Sequence, residues 1–377
     1  MVKFFNFYTI FLIMIYNILT YFFNFNKNTI MDINDYNYKL NESLIAKKPP
    51  AIRGTTKLLT YNLKTKKIFH DKYSNLDNYI KPDDLIILND TKVIPARLIV
   101  TKKQSGGQRE LILIEQHGQS DDWFAHKVLY KGKLSTADIL ITKNNVELKV
   151  TALLDNGLAI ISSPINLLEL AYEIGEVPLP PYLHRKATNS DKDRYQTIWA
   201  KNSGSVAAPT ASLNMTPELI DKLRQRGADI SFITLHVGLG TFLPIRTQKI
   251  EDHHMHKEYF EINQEVLKKI RSAFKNNHRI IAIGTTVTRT LEYAADEIIN
   301  NNKSAINGEA DIFIYPGYNF KIVNALLTNF HAPKSTVLML VSAFCGWSVL
   351  KKLYQVATDD NYKFLSYGDS MLLYNEA

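Results

Sequence analysis

RLIVTKKQSGGQRELILIEQHGQSDDWFAHKVLYKGKLSTADILITKNNVELKVTALLDNGLAIISS, residues 97 to 163, carries no convincing helical pattern. RLIVTKK, ELILIEQH, DWFAHKVLY, ADILITK, VELKVTALL and LAIISS are strand-like runs in which apolar residues recur near the two-residue period that turns one face to a core. SGGQ, GQSDD, KNN and DNG separate them, and Gly, Asn and Asp are the residues that tolerate the backbone angles of chain reversals. Six short strands so closely spaced suggest a small antiparallel barrel or sandwich. The spacing predicts such a module over 97–164, inserted between two parts of a different kind of domain.

Outward from it, the flanks at 31–96 and 165–377 change character. Upstream, KLLTYNL, KKIFHDKY and DDLIILND alternate apolar runs with turns, the last reading as a buried strand that ends in an Asn-Asp turn. Downstream, a helix is expected at NLLELAYEIG, and another opened by Thr216 and Pro217 and closed by Gly227. The strand DISFITLHV follows, then a helix over 263–277, strand RIIAIG, helix TVTRTLEYAADEII, strands DIFIY and IVNALLTNF, and a helix from Ser335 onward. Such alternation predicts an α/β fold with helices packed on a sheet. There is no internal repeat at solenoid periods.

The chain has 377 residues, 45% of them hydrophobic and 22% charged, enough for one large core or two ordinary ones. Its net charge of +8 and pI near 9.1 favour a polyanionic partner, although a lysine-rich solvated surface gives the same numbers. A single cysteine, Cys345, excludes an intrachain disulfide and a Cys-based zinc site, which suits the reducing cytoplasm. The first residues contradict that picture. Phe4 to Phe25 form an almost uncharged apolar run between Lys3 and Lys27, long enough to span a bilayer. The run lacks a small-residue cleavage pattern, is interrupted by Asn6, Asn17 and Asn24, and precedes Met31, where an ordinary sequence begins. Residues 1–30 are therefore read as an apolar extension outside the functional protein, with no stable membrane association expected; a working anchor is the alternative.

Several strand ends carry polar motifs. His236 leads into Gly238-Leu239-Gly240-Thr241-Phe242, a plausible pocket rim, although Gly-x-Gly is also common in plain turns. Asp252-His253-His254-Met255-His256-Lys257-Glu258 would place His254 and His256 on one face of a strand. Without HExxH or cysteine support, hydrogen-bonding or acid/base roles for His256 and Glu258 fit better than a metal, and a solvated charged loop is the bland reading. Thr285 and Thr286 open a helix, where free N–H groups and hydroxyls suit an anion, phosphate and carboxylate equally. Thr328-Asn329-Phe330-His331 ends another strand and is followed by Pro333-Lys334-Ser335-Thr336. In an α/β sheet the carboxyl ends of strands share one edge, so His236, Thr285, Arg289, Asn329 and His331 are expected around one crevice.

The same stretches resemble the S-adenosylmethionine:tRNA ribosyltransferase-isomerase family of queuosine synthesis. VPLPPYL at 177–183, DRYQTIWA at 193–200, SVAAPTASLNMT at 205–216 and TLHVGLGTFLPI from Thr234 carry the resemblance. So do HHMHKEYFE from His253, IIAIGTTVTRTLE from Ile280, DIFIYPGYNFKIVNALLTNFHAPKSTVLMLVSAF from Asp311, YKFLSYGDSML from Tyr362 and, upstream, LIILNDTKVIPARL. It covers Asp32 to Leu373, with no counterpart before Met31. The resemblance implies a distorted α/β-barrel-like domain with an inserted antiparallel β-barrel. It implies transfer and isomerisation of the ribosyl part of S-adenosylmethionine onto 7-aminomethyl-7-deazaguanine at a tRNA wobble position, giving epoxyqueuosine and releasing adenine and methionine. S-adenosylmethionine is then a consumed substrate, with no cofactor and no metal; the protein is expected to be monomeric and cytoplasmic. That chemistry needs a base beside the sulfonium and a proton for departing adenine, roles that imidazoles suit.

His236, His256 and His331 are the acid/base candidates, with Glu258 and Arg289 orienting substrate and Asn329 hydrogen-bonding it. Arg194, Tyr195, Gln196, Pro209 and Thr210 belong to a family segment expected at the crevice, although each would equally serve the loop. Gly238, Gly240, Thr241, Thr285, Thr286, Lys334 and Ser335 complete the expected substrate contacts. Three positions depart from the family: Ser212 for glycine, Asn214 for histidine and Asn324 for aspartate. Asn214 cannot transfer a proton at neutral pH, and Ser212 would be strained wherever positive φ is required. A tRNA-binding relative with impaired catalysis is thus the alternative function. A methyltransferase is a more distant rival, because its glycine-rich loop after the first strand is not evident.

Overall fold

The structure is a computed structural model, and it describes residues 31–118, 122–238, 240, 245–300 and 303–375. The apolar run at 4–25 and Thr241 lie outside the described residues. The stretch that opened the sequence reading closes into a six-stranded antiparallel barrel in the order Leu158–Ser162, Ala125–Lys131, Gln108–Leu113, Arg97–Lys102, Ile139–Thr142, Glu147–Leu153. Alternation does the work: in Glu147–Leu153, Leu148 and Val150 face inward while Glu147, Lys149 and Thr151 face solvent. Leu98, Val100, Leu111, Leu113, Val128 and Ile161 join them in one core. Burying each such side chain contributes about 1.5–3 kcal/mol, and closure leaves no edge for another chain to pair with.

The rest of the described chain is an α/β frame on a nine-stranded sheet. Its order is Ile306–Ala310, Glu258–Ile262, Asp229–Leu235, Leu85–Asn89, Ile280–Ile283, Ala325–Asn329, Ser370–Tyr374, Lys57–Asn62, Ile68–Lys72. Asp229–Leu235, Leu85–Asn89, Ile280–Ile283 and Ala325–Asn329 run parallel, so their carboxyl ends meet at one edge. Leu85–Asn89 is buried at every position, as a strand covered on both faces must be. Glu258–Ile262 is antiparallel to Asp229–Leu235 and starts where that strand ends; Ile306–Ala310 reverses again and finishes beside Glu258. The sheet's direction alone thus delivers Glu258 and Ala310 to the same edge.

The structure corrects several sequence expectations. TVTRTLEYAADEII divides into helices Thr285–Tyr293 and Ala295–Asn300. DIFIY is irregular, and the strand lies just before it at Ile306–Ala310. Residues 253 to 257 precede the strand that starts at Glu258, so His254 and His256 share no strand face. The helix expected from Ser335 is a pair, Thr336–Cys345 and Trp347–Asp359, bent by 110° at Gly346. That bent pair passes as a membrane span by length and composition only; among the described residues no single helix is long and apolar enough to cross a bilayer.

Candidate active site

Beyond the shared sheet edge lies a cleft of about 720 Å³ including its open mouth. Much of its wall is made of strand exits and the helix starts after them. Val237 follows strand Asp229–Leu235; Gly284, Thr285 and Thr286 follow Ile280–Ile283; Asn329 ends Ala325–Asn329, and His331 and Ser335 follow it; Pro209 caps and Thr210 opens the short helical turn Thr210–Ser212. The Thr210 hydroxyl donates to Asn329 Oδ1 at 2.8 Å, and Asn329 Nδ2 donates to the Asp369 carbonyl at 3.3 Å, tying that loop to the sheet. The Ser335 hydroxyl accepts from Leu338 N–H at 3.2 Å as the cap of helix Thr336–Cys345.

His331 faces the cleft with Nε2 2.8 Å from the Thr328 hydroxyl, and its backbone N–H donates to the Tyr354 hydroxyl at 2.8 Å. Tyr38 holds its carbonyl through a short hydrogen bond. Surrounded by protein on every side but the cleft, the imidazole is pushed down by burial to about 3, so it is neutral at physiological pH. His236, expected around the same crevice, is buried and does not line it; its Nδ1 is 2.8 Å from the Thr91 hydroxyl and its ring is stacked on Tyr259. Burial, with a smaller contribution from His117, lowers it to about 4.

Behind the rim sits a charged cluster. Glu258, with no exposed surface, is ion-paired with Arg289, accepts from Gly238 N–H at 2.9 Å and lies 3.3 Å from His256 Nε2. Burial would raise its carboxyl, but the Arg289 guanidinium, His256 and the Gly238 N–H outweigh that and hold it at about 2. Arg289 spends its other nitrogens on the Ile312 and Ala310 carbonyls, at 3.3 and 3.1 Å. The two glycines serve close approach within the protein: a Cβ at Gly238 would fall 2.4 Å from Glu115 Oε1, and one at Gly240 would fall 2.4 Å from His256 Nδ1. Among the described residues no cluster of His, Cys, Asp or Glu could hold a metal ion.

Four further candidates lie away from the cleft. Arg194 donates to the Pro50 carbonyl at 2.7 Å, Gln196 brackets the backbone of Val93 at 3.0 and 2.7 Å, and Tyr195 is fully buried against Tyr367. Lys334 Nζ donates to Asn34 Oδ1 at 2.6 Å. Sequence reasoning missed Thr91 and Thr328, which fix the two imidazoles, and Tyr182 and Ser366, which line the cleft and bond each other. Glu115 was missed as well. Thr328, three residues before His331 at a strand exit, was the one with a local signal; the others come from distant segments.

Residues 33–373 match the family described as queuosine biosynthesis protein. The chain belongs to that family. It is 49% identical over 346 residues to the S-adenosylmethionine:tRNA ribosyltransferase-isomerase of Pelodictyon phaeoclathratiforme, covering 91% of this chain and all of that one. The proteins of the same name from Coxiella burnetii and Natranaerobius thermophilus are 43% and 42% identical, with 90% and 92% of this chain and 98% and 100% of theirs covered. A crystal structure of the S-adenosylmethionine tRNA ribosyltransferase from Thermotoga maritima superposes with a TM-score of 0.52 at 30% identity, covering 90% of this chain and 99% of that one. The family's α/β frame with an antiparallel barrel is the fold described above.

The departures from the family read differently in three dimensions. Asn214 is buried, donates to the Gly368 carbonyl at 3.3 Å and does not line the cleft. Ser212 lies in the helical turn Thr210–Ser212 and not at positive φ, which removes the expected strain. Asn324 Oδ1 accepts from Ile280 N–H at 2.8 Å, a bond that aspartate makes equally well.

Proposed function

We infer that the chain is an S-adenosylmethionine:tRNA ribosyltransferase-isomerase of queuosine biosynthesis, acting on tRNA in the cytoplasm. The observation that carries this reading is identity of 42 to 49% with proteins of that name along nearly their whole length. The cleft supports it, offering apolar walls, hydroxyls and a neutral imidazole in one place. The net charge of +8 suits a polyanionic partner. Catalytic impairment is not favoured, because its motive was Asn214 and that side chain is bonded to the Gly368 carbonyl and does not line the cleft.

In this reading the cleft receives S-adenosylmethionine as a consumed substrate, and the target base of tRNA is 7-aminomethyl-7-deazaguanine. His331, neutral and held by Thr328, is the group placed to accept a proton from carbon beside the sulfonium. His236, buried and held by Thr91, is oriented in the same way. Glu258, fixed as an anion by Arg289, lies 3.3 Å from His256 Nε2 and holds that imidazole beside Gly240, where it is the candidate to give a proton to departing adenine.

The test is adenine release from S-adenosylmethionine by protein beginning at Met31. Release that depends on tRNA carrying the aminomethyl-deazaguanine base supports the reading; absence of release from folded protein contradicts it.

A further inference from the structure

Beside the main cleft is a second, narrower space of about 320 Å³ including its open mouth, with room at its centre for a group about the size of one water, formed where helices Thr285–Tyr293 and Thr336–Cys345 begin side by side. Thr285, Thr286 and Val337 line both spaces, so the cavity opens off the cleft. The first N–H groups of a helix have no partner within it, and the aligned peptide dipoles make that end positive. Two such ends converge here.

Two side chains show that the place is built for a ligand. Thr286 and Thr336 are 8% and 5% exposed, and among the described residues neither Oγ1 makes a hydrogen bond. Thr288 and Thr290, one turn further along, contrast with them: their hydroxyls donate back to the Gly284 and Thr286 carbonyls, both at 3.1 Å. A first-turn threonine has no helical carbonyl four residues behind it, so its hydroxyl needs a partner from outside. A buried hydroxyl left without one is unfavourable, so a ligand that bonds it is favoured.

We propose that this cavity binds the carboxylate of the methionine part of S-adenosylmethionine, held by the Thr286 and Thr336 hydroxyls and the N–H groups of the two helix starts. The inference rests on the reading of S-adenosylmethionine as substrate, and it decides between the two anions that the sequence left open. A tRNA phosphate is flanked by nucleotides on both sides and needs an open groove. This cavity is narrow, and apolar Ile312, Phe313 and Leu340 complete its lining, so it suits a small terminal group better than a phosphate carried within a chain. Arg289 lines it too, but its nitrogens are occupied by Glu258 and two carbonyls and its charge is paired with Glu258, so it is not counted as a ligand. With the carboxylate here, the sulfonium and adenosine extend into the main cleft toward His331.

The experiment is calorimetric binding of S-adenosylmethionine and of its decarboxylated analogue to the full chain and to Thr286→Val and Thr336→Val, with adenine release and the KM for tRNA measured alongside. The analogue is expected to bind wild type at least about 10-fold more weakly than S-adenosylmethionine, the scale of a hydrogen bond to a charged group. Each valine variant should weaken S-adenosylmethionine about 10-fold and leave both the analogue and the KM for tRNA unchanged. Equal affinity of wild type for the two ligands overturns the proposal without needing either variant to fold. A loss confined to the KM for tRNA overturns it in favour of a phosphate, and an equal loss for both small ligands reduces the threonines to packing. If wild type releases no adenine at all, the enzymatic reading itself has failed, which is a different result from adenine release without discrimination between the ligands.

Discussion

Replacing Glu258 with glutamine keeps the volume and removes one charge from the most deeply buried ion pair at the site. The carboxyl has an ordinary value of 4.5 and is held at about 2 in the folded chain. That difference corresponds to about 3 kcal/mol of stability at neutral pH, and leaving Arg289 buried without its partner is in the same range, about 3–5 kcal/mol. Because the folded value lies below the unfolded one, the contribution is complete above pH 4.5 and is lost as pH falls toward 2. At pH 3.5 about 1.4 kcal/mol of it is gone, by linkage from the two values. Urea unfolding of wild type and Glu258→Gln at pH 7, 5 and 3.5 measures this. The gap between the proteins should be about 3 kcal/mol at pH 7 and 5 and about half that at pH 3.5. A gap that does not change with pH, or no gap at pH 7, refutes the argument that Arg289, His256 and the Gly238 N–H stabilise the anion.

Other outcomes follow from the same geometry. Asn214→His should not raise adenine release and should cost about 1–3 kcal/mol on thermal unfolding, because a larger ring enters a filled site behind the cleft; a rise in turnover would put residue 214 in the chemistry. Gly240→Ala pushes a methyl against His256 and should displace the ring from Glu258, lowering the rate of adenine release while tRNA binding, measured by filter retention, stays unchanged. Burial keeps His236 and His331 neutral down to about 4 and about 3, so neither contributes an inflection to the pH–rate profile between pH 8 and 5; a profile in that interval that changes shape in His331→Gln shows otherwise. The same two groups lower stability as pH falls below their ordinary 6.5, because the unfolded chain takes up their protons first.

The barrel was legible because its signal is local. Alternation within each strand and turn residues between strands state the period and the chain reversals without reference to anything distant, as Glu147–Leu153 shows. The helix starts at Thr216 and Asn263 were legible for the same reason: their side chains cap the N–H groups of Leu219 and Val266, three residues ahead. DIFIY misled, since its residue types suit a strand while the pairing partner of Glu258–Ile262 is the glycine-containing Ile306–Ala310. Local propensity there gave way to register.

For the site, the sequence determined which strand exits carry hydroxyls, imidazoles and glycines, and the parallel order of the strands brought those exits to one edge. What it could not determine were pairings across long separations. Thr91 meets His236, Tyr182 meets Ser366 and Gly238 makes room for Glu115 from the barrel only after both segments are folded. Nor could it show that Gln196 and Arg194 bond to backbone at 93 and 50, that Asn214 does not line the cleft, or that the starts of two helices meet around Thr286 and Thr336. Residue types and their period are properties of the chain itself; burial, and with it the protonation state of His236, His331 and Glu258, comes from what the folded chain packs around them.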